Sequence, residues 1–217
     1  MVIKRLRQLL VDIGDTPFYK KLENELKKMD SVLDIGCGSQ SPLAKVKKHF
    51  YIEGLDRYRQ SIEKSRQTKI HDKYKVGDAR KIEKFYNPKS FDAVIALDLI
   101  EHLKKKEALK LIKKMEKIAK KKVILFTPNG FTKQDALENN PYQVHQSGWL
   151  VEEFKKMGYR VYGMRGLKFI RGEWATIRFK PWLFWGIISV LSQFFVYYFP
   201  RFAFQIFAVK ELNDLTT

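Results

Sequence analysis

The sequence contains a single cysteine, Cys37, among its 217 residues. One cysteine excludes an internal disulfide and a zinc site built from several cysteines, so we expect a reducing, cytoplasmic environment. The first 15 residues, MVIKRLRQLLVDIGD, lack both a long apolar run and a small-residue cleavage site. No secretory signal is therefore predicted there. Internal repeats and low-complexity linkers are also missing, which favours one folded domain.

Acidic residues are scarce beside basic ones: 24 against 42, for a formal net charge of +18. This charge predicts attraction to polyanions, either nucleic acid or an anionic membrane surface. Solvated lysine-rich helix faces explain it equally well. Hydrophobic residues make up 45% and charged residues 30% of the chain, which is a globular composition and not a disordered one. The length suits one α/β domain with a modest appendage.

The most informative stretch is SVLDIGCGSQ at residues 31–40. A short apolar run carries Asp34 and leads into Gly36 and Gly38, which bracket Cys37. Glycines allow the backbone to turn with positive φ and to approach a ligand closely. Because the next ten residues, SPLAKVKKHF, look helical, the stretch predicts a strand–loop–helix unit that holds a nucleotide-like ligand.

The loop lacks a third glycine and a Gly-Lys-Ser/Thr sequence. Ser41 stands where a dinucleotide-binding loop has its third glycine, and a P-loop nucleotide triphosphatase is disfavoured too. Asp34 would repel a pyrophosphate but attract a cationic ammonium or sulfonium group. Asp56 follows Gly36 by twenty residues, the spacing at which a carboxylate binds ribose hydroxyls. An adenosyl ligand with a positively charged amino-acid tail fits this set best.

Predicted strands and helices alternate along the rest of the chain, which implies a parallel sheet covered on both faces. Two helices are expected within residues 1–30, with a break at Gly14 and a second start at Thr16 and Pro17. The clearest helix is residues 104–121. Ser147 is predicted to cap a further helix that ends at Gly158. The strand-like segments are FYIEGLD, KYKVGDAR, FDAVIALDLIEHL, VILFTPNG, YRVYGM and FAFQIFAVKEL.

Four of these motifs, in order, resemble those of the class I S-adenosylmethionine-dependent methyltransferases over roughly residues 31–165. VLDIGCGSQ is similar to their glycine loop, GLD to their ribose-binding acid, GDAR to the acid at the adenine, and FDAVIALDLIEHL to their fourth-strand motif. The resemblance implies an α/β, Rossmann-like, doubly wound seven-stranded sheet. Its order would be 3-2-1-4-5-7-6, with the last strand antiparallel. It also implies S-adenosyl-L-methionine as cofactor, bound around Asp34, Gly36, Cys37, Gly38, Asp56, Asp78, Ala79 and Leu97.

Methyl transfer asks little of the protein, because alignment and desolvation can carry most of the catalysis. A general base is needed only if the acceptor must lose a proton, and the candidates are His145, His102 and Asp98. The pair Glu101-His102 has two interpretations. In many relatives such a pair orders the loop, whereas some quinone-precursor methyltransferases use a similar pair to bind a divalent metal. An additional upstream glutamate is missing here, so no metal site is predicted.

Residues 182–199, WLFWGIISVLSQFFVYYF, are long and apolar enough to be considered a transmembrane segment. A single crossing would leave the seventh strand on the wrong side of the bilayer, so we predict a helix lying on the domain. Its surface fits a membrane foot, a lid over a lipophilic substrate, or a homodimer interface through Trp182–Phe199. An ordinary core helix is the remaining interpretation.

Together these features predict one methyltransferase domain over residues 1–217. It comprises an N-terminal helical cap (1–30), a Rossmann-like core (31–180), an apolar helical insertion (181–201) and a last strand (202–212). The predicted function is methyl transfer to a small-molecule or lipid-linked acceptor, in the cytoplasm and peripherally at a membrane surface. An RNA methyltransferase is the first alternative, although the fourth strand lacks an Asn-Pro-Pro-Tyr motif. A non-catalytic S-adenosylmethionine-binding module is the second, and the intact set of acids counts against it.

Overall fold

The structure is a computed structural model that describes residues 2–136 and 140–212. The extreme ends of the predicted 1–217 domain, and residues 137–139 of the loop after the fifth strand, lie outside this range. Seven strands form one sheet: β1 (Ser31–Ile35), β2 (Tyr51–Asp56), β3 (Lys73–Val76), β4 (Phe91–Leu97), β5 (Ala119–Pro128), β6 (Arg160–Leu167) and β7 (Ala203–Glu211).

The strand order is β3-β2-β1-β4-β5-β7-β6. Neighbouring strands from β3 to β5 pair in parallel, whereas β7 is antiparallel to both β5 and β6. The predicted Rossmann-like α/β sheet and its order are therefore confirmed. The parallel strands end at one edge, and ligands bind beside that edge in folds of this type.

Five α-helices cover the sheet: α1 (Val2–Leu26), α2 (Arg59–Thr68), α3 (Lys105–Ile118), α4 (Val151–Lys156) and α5 (Trp182–Tyr198). One core layer forms where α3 and α4 pack on the sheet through residues such as Leu111, Met115 and Phe154. The other forms where α1 packs on the opposite face through Phe18 and Leu22. Burial on both faces explains why β4 is apolar throughout.

The prediction of two N-terminal helices is wrong, because α1 is continuous and contains Pro17. Thr16 does not cap a second helix: its hydroxyl donates to the carbonyl oxygen of Asp12 at 2.8 Å. Proline removes one hydrogen bond from a helix, and the packing of Phe18, Leu22 and Leu26 on the sheet offsets that loss. Local breaking signals are thus overridden by tertiary packing.

Two other local predictions need correction. The stretch 41–50 contains one 3₁₀ turn, Pro42–Lys45, instead of a long helix; Val46 then has extended φ and ψ angles and begins the approach to β2. Ser147 does not cap α4, because its hydroxyl donates to the carbonyl oxygen of Ile100 at 3.2 Å. The N-terminus of α4 is closed instead by Glu153, whose carboxylate accepts from the Leu150 N–H at 2.8 Å.

Helix α5 lies between β6 and β7 in the chain and packs directly on β6. A Cβ atom at Gly163 would lie 2.1 Å from the carbonyl oxygen of Val196, and one at Gly166 would lie 2.1 Å from that of Ser189. Only glycine permits so close an approach. No helix of residues 2–136 and 140–212 combines the length and the apolarity that a membrane crossing requires.

Polar side chains of α5 face the sheet, and its apolar side chains face outward. Gln193 donates to the Gly163 carbonyl oxygen at 3.0 Å and accepts from the Gly166 N–H at 3.1 Å. The Leu167 N–H donates to the Ser192 hydroxyl at 3.1 Å. On the other side, Leu191 is 71% exposed and Phe194 is 78% exposed. The outward face of α5, meaning Phe184, Ile187, Leu191, Phe194, Phe195, Tyr198 and Phe199, is therefore an exposed apolar surface.

Candidate active site

The glycine loop after β1 is held by the ends of the neighbouring strands. Gly36 has φ +72° and Gly38 has φ +58°, a region that favours glycine. The Gly36 N–H donates to the Leu55 carbonyl oxygen at 2.7 Å. The Gly38 N–H donates to Oδ2 of Asp56 at 2.9 Å. A Cβ atom at Gly36 would also lie 2.7 Å from the Leu99 side chain, so the loop is both turned and tightly packed.

A cavity of about 250 Å³ opens beside this loop, at the edge where the parallel strands end. Seven of the predicted site residues line it: Gly36, Gly38, Asp56, Asp78, Ala79, Asp98 and His102. The structure thus brings together residues that are up to 66 positions apart in the sequence. We call this space the cofactor cavity. Sequence reasoning missed several other lining residues, among them Arg57, Leu99 and Tyr142.

Two acids of the cofactor cavity have different surroundings. Asp56 accepts from the Tyr58 N–H at 2.7 Å as well as from Gly38. Burial raises its pKa, and these two N–H groups oppose the rise. Asp78 accepts three hydrogen bonds from the guanidinium of Arg80, with the shortest at 2.7 Å, and this lowers its pKa. Both carboxylates are therefore oriented before any ligand binds.

Three predicted cofactor residues lie behind the loop instead of facing the cavity. Asp34 is 2% exposed and accepts from the Ser41 hydroxyl at 2.6 Å; His71 Nε2 lies 2.9 Å from the same carboxylate. Cys37 is buried beside Gly54, and burial raises the pKa of its thiol. Leu97 packs in the core layer under α1. Contact with a cofactor stays a prediction for all eight residues, and these three also support the loop or the strand.

A second cavity of about 220 Å³ adjoins the cofactor cavity and shares Asp98 and His102 with it. We call it the acceptor cavity. His145 lines its wall, so all three predicted catalytic residues lie around this junction. Asp98 has φ +53° at the end of β4, and its Oδ1 accepts from Nε2 of Gln205 at 2.9 Å. Gln205 is on β7, and sequence reasoning did not identify it.

Two neighbouring carboxyl groups stand at the junction. Desolvation by the surrounding protein raises the pKa of Asp98 to about 6, although Asp98 is exposed where it lines the two cavities; the guanidinium of Arg165 opposes the shift and Asp15 adds to it. Glu101 is buried and accepts from the Thr127 hydroxyl at 2.9 Å. Burial and the charge of Asp98 raise the pKa of Glu101 well above its usual range. Two such acids do not ionise independently, so a proton is retained on the pair more readily than on a surface carboxyl.

The rings of His102 and His145 are in contact, with centroids 4.8 Å apart and planes tilted by 60°. Nδ1 of His145 contacts the Thr132 carbonyl oxygen, and Nδ1 of His102 lies 3.4 Å from that of Val144. A carbonyl only accepts, so each Nδ1 carries the proton and each Nε2 is left as an acceptor. Burial lowers the pKa of both rings, and the proximity of His145 helps to bring that of His102 to about 4. Both imidazoles are therefore neutral at pH 7.

Glu101 serves the loop as well as the site. Its carbonyl oxygen accepts from the N–H groups of Gln146 and Ser147, which anchors the segment that carries His145. This contact agrees with the loop-ordering interpretation of Glu101-His102. The ligand atoms of Glu101, His102 and His145 also lie within 4.8 Å of one another, and such a set has the chemistry to hold a divalent cation.

Comparison with known proteins agrees with this geometry. The profile of a family described as a methyltransferase domain matches residues 33–127. A search of curated protein sequences found no match. Among solved structures, the chain is similar to an S-adenosylmethionine-dependent methyltransferase from Archaeoglobus fulgidus, at 17% identity with a TM-score of 0.55, over 89% of this chain and 94% of that one.

Two further structures are similar. Magnesium protoporphyrin IX methyltransferase from Synechocystis PCC 6803, solved with bound S-adenosylmethionine, is 14% identical, covers 95% of this chain and 83% of its own, and has a TM-score of 0.55. A protein from Pyrococcus horikoshii OT3 is 28% identical over 54% of this chain, with a TM-score of 0.46. This chain spans 56% of that protein's length. The likeness to the Archaeoglobus and Synechocystis structures establishes the fold.

Proposed function

We propose that this chain, a class I S-adenosylmethionine-dependent methyltransferase, methylates a small-molecule or lipid-linked acceptor at a membrane surface. The observation that carries the proposal is the junction of two cavities at Asp98 and His102. One cavity has the residues that suit the methyl donor. The other offers a neutral imidazole and a paired acid to an acceptor, within reach of the same junction.

The residues of the cofactor cavity fit S-adenosylmethionine. Asp56 is oriented to accept from ribose hydroxyls, and Asp78 and Ala79 lie where an adenine ring would end. Gly36 and Gly38 leave room for close approach of the ligand to the backbone. Asp98 supplies negative charge toward the cationic end of the molecule. When bound, the cofactor supplies an electrophilic methyl group on a sulfonium.

The acceptor cavity supports proton removal from a hydroxyl acceptor. Nδ1 of His145 is held by the Thr132 carbonyl, so Nε2 is free to take the hydroxyl proton as the oxygen–methyl bond forms. His102 packs against that ring and is less basic, with its pKa near 4. We therefore assign the role of base to His145 and a positioning role to His102.

The exposed apolar face of α5 supports the membrane part of the proposal. A contiguous apolar surface of this kind is unfavourable in water and suits the boundary of a bilayer. Exposed residues of α1 extend it, with Leu9 53% and Val11 47% exposed. Basic residues flank the surface at Arg5, Lys180 and Arg201, and cations favour an anionic leaflet.

The test uses the full chain and two measurements. Titration calorimetry with S-adenosylhomocysteine should show binding, and absence of binding would overturn the assignment of the cofactor cavity. Tritiated methyl transfer from S-adenosylmethionine should then be followed into the organic and aqueous phases of a cell extract. Label in the organic phase supports a lipid-linked acceptor, whereas label confined to protein would contradict the proposed acceptor class.

An RNA acceptor is the second candidate, because the net charge is +18. Binding that rests on phosphate contacts falls steeply with salt concentration. We expect a shallow slope for RNA binding by this chain, since the proposed acceptor is small or lipid-linked and not a polynucleotide. A steep slope together with label in the RNA fraction would favour the RNA acceptor.

A further inference from the structure

A third cavity of about 660 Å³ continues from the acceptor cavity and shares Thr132 and Phe204 with it. Its wall combines cations with aromatic rings, and we call it the basic cavity. The cations are Lys133, Lys168, Arg171, Arg178 and Arg201. Among the described lining residues the acidic side chain is Glu173 alone. Five cations against one carboxylate make this a strongly positive enclosure.

Most of these cations have no acidic partner nearby. Within residues 2–136 and 140–212, no carboxylate lies within ion-pair distance of Lys168, Arg171 or Arg178. Arg171 is half-buried and donates only to neutral groups: the Ser189 hydroxyl at 3.2 Å and the Ala175 carbonyl oxygen at 2.8 Å. Burial and the charge of Arg165 lower the pKa of Arg171, to about 10, so the group stays charged at pH 7.

Such an arrangement is stabilised by a bound anion. Cations around one enclosure repel one another, and a phosphate removes that repulsion while accepting charge-assisted hydrogen bonds. Arginine suits phosphate in particular, because its planar fork matches two phosphate oxygens. Two or more arginines and a lysine around one cavity therefore favour a phosphate group over an uncharged, apolar ligand.

The aromatic part of the wall leads to the outward face of α5. Phe131 is 64% exposed and Phe169 is 54% exposed at the cavity mouth. The Phe202 ring, also in the wall, lies 5.7 Å from that of Phe195 on α5. An alkyl chain leaving the cavity would therefore pass along aromatic rings to the apolar surface.

We propose that the basic cavity binds the phosphate group of an amphiphile whose apolar chain lies along α5. The proposal rests on the proposed function for the identity of that amphiphile as the methyl acceptor, because the basic cavity shares the wall residues Thr132 and Phe204 with the acceptor cavity. Arg171, Arg178 and Lys168 hold the phosphate. The remainder of the head group then reaches past Thr132 toward the junction at Asp98.

The experiment compares two double variants of equal charge. Lys168→Gln/Arg178→Gln removes two exposed cations of the cavity, and Lys110→Gln/Lys113→Gln removes two exposed cations of α3. Octyl phosphate, a soluble phosphate ester with an alkyl chain, is titrated into each protein, and 1-octanol serves as the uncharged probe. Wild type and the α3 variant should bind octyl phosphate alike, and the cavity variant about tenfold or more weakly.

Five outcomes decide the proposal. Equal binding of octyl phosphate and octanol, or an equal loss in the α3 variant, would overturn it. Tighter, variant-sensitive binding of a single-stranded RNA oligonucleotide would overturn it too. Binding of octyl phosphate supports an amphiphile acceptor, whereas a variant effect confined to flotation with phosphatidylglycerol vesicles supports the phosphate site and assigns it to membrane lipid. Binding of S-adenosylhomocysteine is measured for wild type and every variant. If wild type did not bind it, the proposed function would be refuted, independently of the result for the phosphate site.

Discussion

Nε2 of His71 lies 2.9 Å from Oδ2 of Asp34, and both side chains are buried behind the glycine loop. The same carboxylate oxygen accepts from the Ser41 hydroxyl. The contact joins the first strand to the segment before β3, and Ser41 ties it to the end of the loop. Asp34 therefore holds the loop in place from behind, while Asp56 faces the cavity from the front.

This difference predicts opposite effects of two similar substitutions. Asp34→Asn weakens two buried hydrogen bonds and should lower the free energy of unfolding by about 1–3 kcal/mol in urea titrations. Asp56→Asn should leave the free energy of unfolding closer to wild type, and should weaken S-adenosylhomocysteine binding by roughly tenfold to a hundredfold in calorimetry. Loss of binding without loss of stability in Asp34→Asn would mean that Asp34 contacts the ligand.

The second prediction concerns the buried carboxylate of Glu25. Burial opposes ionisation, but hydrogen bonds from Lys122 at 2.6 Å and Lys21 lower the pKa of Glu25 below its usual 4.5. A carboxyl with a lowered folded-state pKa stabilises the protein above pH 4.5, and that contribution is lost as the pH falls through the folded pKa. Glu25→Gln should therefore cost about 3 kcal/mol at neutral pH.

The measurement is urea unfolding across the acid range. The gap between wild type and Glu25→Gln should close as the pH falls below the usual glutamate value. The exposed Glu63→Gln on α2 is the control, and its stability should follow wild type at every pH. A gap of constant size would show that the loss comes from packing and not from charge.

The third prediction follows the carboxyl at the junction. Asp98 has a pKa of about 6, so its negative charge is lost as the pH falls through that value. Affinity for S-adenosylmethionine, which carries a sulfonium, should weaken there more than affinity for S-adenosylhomocysteine, which does not. Gln205 donates to the ionised carboxylate, so Gln205→Leu should raise the pKa and move this loss to higher pH.

Calorimetry between about pH 5 and pH 8 measures the affinity for both ligands and the pH midpoint at which it is lost. The exposed Gln67→Leu on α2 is the matched control and should leave it unchanged. If the two ligands lost affinity in parallel, the sulfonium would not interact with the charge of Asp98.

The fourth prediction tests the base. His145→Asn should lower methyl transfer into the extract by about 10²–10⁴-fold, because the acceptor proton then has no nearby imidazole nitrogen to receive it. S-adenosylhomocysteine affinity should stay unchanged. Since burial lowers the pKa of His145, wild-type activity should persist below pH 6.5 before it falls. His49→Asn, on an exposed loop, is the control; transfer that is equal in both variants would remove His145 from the mechanism.

The fifth prediction concerns the outward face of α5. Leu191→Gln/Phe194→Gln removes two of its most exposed apolar side chains and should weaken flotation with phosphatidylglycerol vesicles by about tenfold or more. Leu109→Gln, on the exposed side of α3, should float as wild type does. Unchanged flotation together with a lower molar mass in light scattering would identify the face as a homodimer interface instead.

Much of the fold and of the cofactor cavity was predictable because its signals are local. Gly36 and Gly38 stand in one loop, and Asp56 ends the apolar strand β2 at the spacing of a ribose-binding acid. Asp78 follows β3 by two residues, and the resemblance of GDAR to the family motif indicated it. His71, Arg165 and Gln205 were missed for the opposite reason. Each meets its partner through the sheet, 37 residues away for His71 and 107 for Gln205, and nothing in the flanking sequence marks it.

Local signals also failed where packing dominates. Pro17 is a sound helix-start signal in isolation, yet the apolar stripe that continues through Leu22 and Leu26 keeps α1 intact. Ser147 is a good capping residue by type, but its hydroxyl bonds to the loop at Ile100. At both positions, tertiary contacts in the folded protein override the local helix-boundary preference of the sequence.

Helix α5 is fixed to β6 by hydrogen bonds of Gln193 and Ser192 across two glycines, in addition to apolar contacts such as that of Tyr197 with Tyr162. A detergent or lipid tail dissolves apolar contacts but offers no donor or acceptor to replace these bonds. The helix can therefore exchange its outer neighbours, from water to detergent to bilayer, while its attachment to the sheet resists solvation. Extraction into mild detergent should release the protein from a membrane with this helix still seated.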